Sequence, residues 1–289
     1  MKNYISKVFY FLLLISAISC NNNQEKPSKT EQMKLINDTM SNNTTQSISW
    51  GMTSKLKNEY ISKLKSNPEK SDSILLKFLE ESTLMEDGAN EQLYSLDYNE
   101  ELNEILSIDE DKLSETSTNF IADAENSGFK IVGEEGNLYL NLRSSFLKDD
   151  IIDNLDSLSK EYLNLYCYEI DNKCCSDGAF VISKSEIVNR IYQWGELAPK
   201  VIDKAYFRFA KGYFDSYLDY LYVGIDNNPA FGWDNGDFDQ ESLEAMEVLI
   251  SNHPQSLATK EFNTFMGLLK ESNMKKSEEI EYYIADRFE

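Results

Sequence analysis

Histidine and cysteine are scarce in this 289-residue chain, and their scarcity excludes several kinds of catalytic and metal site. His253 is the single histidine, so any His-dependent triad or histidine-ligated zinc would have to use it. It precedes Pro254 at a predicted helix end, where we expect an interaction with the helix dipole. The Gly-x-Ser-x-Gly, phosphate-loop and dinucleotide-binding glycine patterns are also absent. We therefore expect no catalytic residues, no metal ligands and no cofactor.

The four cysteines are Cys20 near the N-terminus and the cluster of Cys167, Cys174 and Cys175. In an oxidising compartment, we expect Cys167 to form a disulfide with Cys174 or with Cys175. Direct pairing of the adjacent Cys174 and Cys175 is the more strained alternative. The cluster lacks the paired C-x₂-C spacing of zinc sites and has no histidine nearby, so it does not predict a metal site.

Basic residues are few, with 28 lysines and arginines against 50 aspartates and glutamates and a formal net charge of −22. Nucleic acid is not an expected partner, because binding to phosphates requires a basic footprint. Peripheral binding to anionic lipid headgroups is disfavoured for the same reason. The charge indicates an exposed acidic surface, which provides solubility or attracts a basic protein or a small cationic ligand.

The apolar run at the N-terminus, residues 8–18, is too short to cross a bilayer as a helix. A transmembrane helix needs about 20 predominantly apolar residues. The run follows Lys2 and Lys7, and a positive segment before a short apolar run is typical of a signal peptide. We therefore expect residues 1–19 to direct export and to be removed, which leaves 26 basic and 50 acidic residues and a formal charge of −24.

The segment Ser16-Ala17-Ile18-Ser19-Cys20 ends this run and resembles the lipobox of bacterial lipoproteins. The resemblance implies cleavage before Cys20 and acylation of that cysteine, which would anchor the mature chain to a membrane outside the cytoplasm. Anchoring by two or more acyl chains is lasting. Asn21 follows the cysteine, which resembles the sorting pattern for the outer membrane of bacteria with two membranes. The alternative is an ordinary secretory signal in which Cys20 is coincidental.

The remainder of the chain predicts a tether followed by a helical domain. Residues 20–49 are rich in Asn, Thr, Ser and Lys and poor in aromatic residues, so they predict a disordered tether. Residues 50–289 predict one mainly helical domain, and a division near residue 128 is the alternative. Apolar side chains in this region recur mostly with the period of an α-helix.

Punctuating residues locate several of the predicted helix ends. Gly88 is predicted to end one helix, and the capping box Ser183-x-x-Glu186 is predicted to begin another. The strongest helical pattern extends from about 201 to 222 and is apolar over a wide arc, which predicts a central position in the core. The period changes to two around Gly133 and Gly136, which predicts a β-hairpin. The expected fold class is therefore mainly α, a multi-helix domain with one small β-hairpin.

The segment 224–239 is the most unusual loop, because it combines carboxylates, amides, glycines and aromatic residues. It contains Asp226, Asn227 and Trp233, which are candidate binding residues. One interpretation is a structural loop built from Asx turns and a helix cap. Contact with a ligand or partner is the second, and a calcium site is the third, although the EF-hand ligand order is not present.

An ordered series of short segments in the second half of the chain is similar to one in uncharacterised secreted bacterial proteins and lipoproteins. The similarity covers roughly residues 119–289 and implies no known activity. It does imply that Arg190 pairs with Asp177 or with Asp226, which makes Arg190 a further candidate binding residue. The segments of the series are Glu135-Gly136, Asp177-Gly178, Arg190 and Tyr222-Val223-Gly224-Ile225-Asp226-Asn227.

These observations favour a non-enzymatic binding or interaction module anchored to the cell membrane or the outer membrane. The alternative is a hydrolase of envelope glycan or peptide that uses two carboxylates and no histidine. The two hypotheses differ in where Glu135, Asp177, Arg190, Asp226 and Trp233 lie in the fold. Convergence on an open cleft with two facing carboxylates would favour the hydrolase, whereas burial with satisfied partners would indicate a scaffold.

Overall fold

A computed structural model describes residues 51–95, 99–107, 112–134 and 136–288 of the chain. The expected signal peptide, Cys20 and the expected tether lie outside these residues, and so does Glu135. Eleven α-helices and three two-stranded antiparallel sheets are present in the described part, which confirms the mainly α fold class. None of the helices described combines the length and the apolar character that crossing a bilayer requires.

The helices are α1 (Met52–Ser66), α2 (Ser71–Ser95), α3 (Asn99–Ser107), α4 (Glu115–Asn126), α5 (Ser144–Lys148), α6 (Ser157–Asp171), α7 (Lys184–Leu197), α8 (Phe207–Tyr222), α9 (Gln240–Asn252), α10 (Leu257–Glu271) and α11 (Glu278–Phe288). The strands are β1 (Phe129–Glu134), β2 (Asn137–Leu142), β3 (Cys175–Ser176), β4 (Ala179–Phe180), β5 (Gly224–Ile225) and β6 (Asn228–Pro229). Each strand pairs with its neighbour in sequence.

The chain divides into two compact units. Among the described residues, the first contains 51–56 and those within 78–142, and the second contains Lys57–Lys77 and 143–288. Residue 128, where the sequence offers a dividing point, lies inside the first unit. It lies there because α4, which ends just before it, packs against β1, which begins just after it.

The first unit contains the predicted β-hairpin, which the structure confirms as β1 and β2. Two strands alone are marginal in water, and α2 supplies the missing support. The side chain of Asn90 both donates to the Leu140 carbonyl and accepts from the Leu140 amide, each at 2.8 Å. Glu86, one helical turn earlier, accepts from the Leu142 amide. These contacts satisfy backbone groups of β2 that would otherwise be unpaired.

The predicted helix end at Gly88 is wrong, because α2 continues through this residue to Ser95. One glycine inside a helix costs only about 1 kcal/mol relative to alanine. The contacts that Glu86 and Asn90 make with β2, together with the burial of Leu93, require the helix to continue on both sides of Gly88. Tertiary contacts therefore outweigh the local preference at this position.

The second unit is organised around α7 and α8, and its strongest predicted helix begins later than the sequence pattern indicates. The pattern starts near residue 201, but α8 begins at Phe207. The preceding residues form a 3₁₀ turn at Ala198–Val201 and further turns. The amide of Ala205 donates to the Asp72 carboxylate at 3.0 Å instead of continuing a helix, and Ile202 is 62% exposed.

A close contact between Gly195 and Phe214 brings α7 and α8 together. A Cβ atom at position 195 would lie 2.8 Å from the Phe214 ring, closer than real Cβ contacts allow. The neighbouring Trp194 stacks on Tyr213 with ring centroids 4.4 Å apart. The Trp-Gly pair in α7 therefore provides a large aromatic surface beside a gap that accepts a ring from α8.

Candidate functional site

Arg190 projects from α7 into the core of the second unit, and its side chain is fully buried. Its Nη1 donates to Glu169 at 2.5 Å and to the Tyr217 hydroxyl at 2.7 Å. Its Nε donates to Glu186 at 3.0 Å, and its Nη2 donates to the Asn172 carbonyl at 2.7 Å. All three nitrogens therefore have protein partners, as a buried guanidinium requires.

The two carboxylates around Arg190 have further donors. Glu169 accepts from Trp194 Nε1 at 2.8 Å and from the Tyr217 hydroxyl. Glu186 accepts from the Tyr168 hydroxyl at 2.8 Å and from the Asn189 amide at 3.2 Å. The group formed by Arg190, Glu169, Glu186, Trp194 and Tyr217, which we call the Arg190 cluster, is thus internally satisfied. The arginine covers both carboxylates, which leaves them unable to act as an open acid–base pair.

Electrostatics favours the charged arginine and the neutral phenol in this cluster. Burial by itself lowers the pKa of Arg190. The charge of Glu169 and the hydrogen bonds of Glu186 and Tyr217 outweigh this effect, so the pKa lies above its usual value. Burial raises the pKa of Tyr217, and the adjacent Glu169 carboxylate adds to the effect. Burial also opposes ionisation of Glu186, but hydrogen bonds from Arg190, Tyr168 and Asn189 lower its pKa.

The expected pairing of Arg190 with Asp177 or Asp226 is wrong. The arginine pairs with Glu169 on α6 and with Glu186 one turn earlier on α7. Asp177 and Asp226 instead occupy exposed hairpin turns. The capping box at the start of α7 is only half formed, because Glu186 pairs with Arg190. Ser183 accepts from the Glu186 amide at 3.2 Å as predicted, but the Glu186 side chain turns to Arg190.

The Asp177-Gly178 segment is the turn of a hairpin between β3 and β4. Both residues have positive φ, 48° and 66°, as a two-residue turn that follows the twist of a hairpin requires. This hairpin was not predicted, although Asp-Gly is a common sequence for such a turn.

The β3–β4 turn contacts the next hairpin, β5–β6, at its Asp226-Asn227 turn. The backbone amide of Asn227 donates to the Gly178 carbonyl at 2.8 Å, and the side-chain oxygen of Asn228 accepts from the Phe180 backbone amide at 2.9 Å. Gly178 leaves room for this contact, because a Cβ there would lie 3.3 Å from the Asn227 side chain. Asn227 therefore has a structural role, and Asp226 lies exposed beside it.

The remainder of the 224–239 loop is fixed by its own backbone and by residues after α10. Gly232 donates to the Asp237 carbonyl at 2.8 Å, and Phe238 donates to the Met274 carbonyl at 2.8 Å. Phe231 and Phe238 are buried with their ring centroids 5.2 Å apart, and Phe238 packs edge-on against Phe265. We call residues 232–236, which extend outward between these two phenylalanines, the Trp233 turn.

Trp233 lies in the Trp233 turn and is 79% exposed. The turn itself is restrained, because the Asn235 carbonyl accepts from Lys275 Nζ at 3.0 Å and the Gly236 carbonyl accepts from the Lys276 amide at 3.0 Å. The sequence identified Trp233 as a candidate binding residue, and the structure exposes it at the surface, whereas Arg190 is fully buried. The two candidates therefore do not form one site.

Three of the side chains that could bind a calcium ion in this loop have other partners. Asp237 pairs with Lys275 at 2.7 Å, and Asn235 Oδ1 accepts from the Asp237 amide at 3.1 Å. Asp239 caps α9 by accepting from the amide and hydroxyl of Ser242. In the part of the chain that the structure describes, no three His, Cys, Asp or Glu side chains are placed to hold a metal ion.

Neither of the predicted alternatives, a disulfide of Cys167 with Cys174 or with Cys175, is formed in the structure. Cys167 is buried on α6, where its thiol approaches the Ser144 carbonyl at 3.7 Å, and burial raises its pKa to about 12. The sulfur of Cys174 instead lies 2.7 Å from that of Cys175. The direction of the Cys174 side chain, rather than the length of the intervening loop, determines which sulfur is its neighbour.

An open groove of about 610 Å³ lies between α10 and α11. Its acidic lining residues are Glu278, Glu279 and Asp286, beside Tyr282 and Leu268. A carboxylate-dependent hydrolase needs one carboxyl with a raised pKa in such a cleft. The pKa of Glu279 is instead lowered, first by a backbone hydrogen bond and then by Ser277.

A carboxyl whose pKa is raised does lie elsewhere in the second unit. Burial raises the pKa of Asp219, on α8, to about 6, and this residue does not line the groove. Arg190 is buried, whereas Asp177, Asp226 and Trp233 are exposed, so these four residues do not line one cleft together. Comparison of the chain with protein-family models, with curated proteins and with solved structures finds no match to any of them.

Proposed function

We propose that this protein is a non-enzymatic binding module of the cell envelope, anchored through an acylated Cys20, that contacts a basic protein partner with Trp233. The observation that carries the proposal is the exposure of Trp233 on a turn whose base is fixed. The N-terminal sequence supports the anchor, because a short apolar run leads to a lipobox-like segment ending in Cys20.

The exposure of Trp233 is a cost to the isolated protein that binding would remove. The two aromatic residues that flank the turn, Phe231 and Phe238, are buried in the core. Trp233, which lies between them in the sequence, is exposed to solvent. A tryptophan side chain buries about 150–250 Å² when it is covered. Tryptophan is also enriched among the residues that dominate binding energy at protein interfaces.

The restraint of the Trp233 turn supports the same proposal. Gly236 donates to the Gly232 carbonyl at 3.0 Å, and the Lys275 side chain bridges Asn235 and Asp237. A side chain presented from a turn that is already ordered loses less conformational entropy on binding than one on a mobile segment. A restrained tryptophan is therefore suited to fill a pocket on a partner.

The charge of the chain favours a basic partner. The formal net charge is −22, and the exposed Asp234 adjoins Trp233. The face of a tryptophan ring attracts lysine and arginine side chains through a cation–π interaction of about 0.5–2 kcal/mol. A basic protein segment can thus contact the ring and the neighbouring carboxylate together.

Photocrosslinking in intact cells tests this proposal. A photoreactive phenylalanine analogue is placed at position 234, beside the intact Trp233, and, as a matched control, at Tyr282, an aromatic residue that is 74% exposed elsewhere on the same unit. We expect a discrete protein adduct from position 234 and none of that mass from position 282. Mass spectrometry should place the crosslink in a segment rich in lysine or arginine. Equal adducts from both positions, or none from position 234, would overturn the proposal.

A further inference from the structure

The neighbouring cysteines Cys174 and Cys175 hold their sulfur atoms 2.7 Å apart. Both side chains are partly exposed, so a small thiol reagent can reach them. Cys167, the partner that the sequence favoured, is buried on α6 and directed at the Ser144 carbonyl. Formation of a disulfide between Cys174 and Cys175 therefore requires less movement of the protein than formation of one to Cys167.

Backbone contacts on both sides hold this pair in place. The Asn172 carbonyl accepts from Arg190, and the Cys174 carbonyl accepts from the Val181 amide at 2.9 Å. Cys175 begins β3 and pairs with Phe180. The two thiols thus lie between a buried ion-pair cluster and a hairpin, and their separation does not depend on a mobile loop.

We propose that Cys174 and Cys175 are a modification site at which a low-molecular-weight or protein disulfide converts the two thiols into a disulfide between adjacent residues. The site is independent of Trp233 and goes beyond the proposed binding function. It shares with that function only the expectation of an oxidising compartment, and the chemistry can be tested on the purified chain.

The reaction is a pair of thiol–disulfide exchanges. The Cys174 thiolate attacks one sulfur of the disulfide reagent, which breaks the reagent's S–S bond and releases the first thiolate. The Cys175 thiolate then attacks the Cys174 sulfur, which breaks the mixed disulfide and releases the second. Two protons from the protein thiols end on the two released thiols, so the protein is oxidised and the reagent is reduced by two electrons.

The surroundings identify Cys174 as the first nucleophile. The hydrogen bond from Cys175 lowers the pKa of Cys174, an effect that burial and the Glu169 charge oppose and the Arg190 charge assists. The same hydrogen bond raises the pKa of Cys175, and burial adds to the increase. The thiolate, rather than the thiol, is the attacking species in exchange.

The proposed disulfide encloses no other residues, unlike a Cys167–Cys174 disulfide, which would enclose residues 168–173. The stabilisation that a disulfide gives by restricting the unfolded chain grows with the length of the enclosed loop. Oxidation of the adjacent pair should therefore change the melting temperature by less than a bridge to Cys167 would. The size of the change in melting temperature therefore distinguishes a reversible modification of the adjacent pair from a stabilising disulfide to Cys167.

The test treats the reduced, purified full-length chain with oxidised glutathione and then alkylates the remaining thiols under denaturing conditions. Cleavage after Lys173 and Lys184 releases peptide 174–184, which contains both cysteines. We expect this peptide to be unalkylated and lighter than the dithiol form by the mass of two hydrogen atoms. Cys167 should be alkylated.

Two variants complete the test. Cys167→Ser should leave the mass loss of peptide 174–184 unchanged, whereas Cys175→Ser should abolish it and leave glutathione attached to Cys174. Circular dichroism of each variant checks that the fold is retained. Alkylation of both Cys174 and Cys175, or recovery of either linked to Cys167, would overturn the proposal. Loss of the crosslink from the Trp233 turn has no bearing on this outcome.

Discussion

Asn227 joins two hairpins by donating its side-chain amide to the backbone carbonyl of Asp177 at 2.9 Å. Its backbone amide reinforces the contact by donating to Gly178 at 2.8 Å. Exposed asparagine and aspartate residues in such a loop could be interpreted as ligand contacts, but Asn227 instead links one turn to another. The contact separates Asn227, which supports the fold, from Trp233, which remains available for binding.

Replacement of Arg190 by methionine should lower the free energy of unfolding by about 3–5 kcal/mol, because it leaves the Glu169 charge buried without its partner. Glu169→Gln in the same chain should recover part of the loss, since the glutamine is uncharged and still accepts from Trp194. Urea denaturation measures both changes.

Arg208→Met is the matched control for the Arg190 substitution. Arg208 is exposed on α8, and surface substitutions usually change stability by less than about 0.5 kcal/mol. A similar small effect for Arg190→Met would show that the Arg190 cluster does not hold the second unit together.

Gly195→Ala should destabilise the protein by about 1–3 kcal/mol, although alanine favours a helix more than glycine does. The added methyl group would lie 2.8 Å from the buried Phe214 ring. Gly267→Ala in α10 is the control, because a Cβ there meets no atom within 4 Å. We expect a higher melting temperature for Gly267→Ala and a lower one for Gly195→Ala. An increase for both would contradict the close packing of α7 on α8.

Asp219 makes stability depend on pH in a defined direction. Burial raises the pKa of its carboxyl to about 6, above 3.8 in the absence of the fold, so the folded state binds the proton more tightly than the unfolded chain. The cost of its charge is present above pH 6 and is relieved as the pH falls from 6 towards 4. This cost is at most about 3 kcal/mol, from a pKa difference of about two units.

The corresponding measurement compares Asp219→Asn with the native chain by thermal denaturation. The variant should melt at a higher temperature at pH 7.5, and the gain should disappear near pH 4. Asp234→Asn, at an exposed position, should show no comparable dependence. A lower melting temperature for Asp219→Asn at pH 7.5 would indicate that the carboxylate makes a favourable contact.

Cys20→Ser should leave unprocessed precursor and abolish incorporation of a labelled fatty acid in a bacterial host. The reason is that the predicted acyl acceptor and cleavage position are both lost. Cys167→Ser should retain the label, since that cysteine lies in the folded domain. Unchanged labelling of the Cys20 variant would show that the anchor lies at another residue.

Much of the fold could be predicted from the sequence because its signals are local. Ser183, which was predicted to begin a helix, accepts from the backbone amide of Glu186, three residues later, as expected of a helix cap. The change of apolar period correctly located β1 and β2. Gly88 and residues 201–206 were predicted incorrectly, because the deciding contacts come from residues distant in sequence.

The candidate site shows the same division. Trp233 was identified from the composition of its loop, and its exposure required only that the loop be at the surface. The partners of Arg190 were missed. Glu186 lies four residues before it, a spacing at which two side chains meet on a helix, and this signal was available. Glu169 lies on a different helix, and no local pattern indicates its contact with Arg190.

The most direct measurement of the central claim is the amount of protein partner that the lipidated chain retains from intact envelopes, with and without Trp233. Trp233→Ala should lower the retained partner about tenfold or more, the loss expected for an interface residue of this type. Tyr282→Ala should retain it at the native level. Retention by the native chain should fall as salt concentration rises, because salt screens an acidic surface. Equal retention by Trp233→Ala and the native chain would contradict the account.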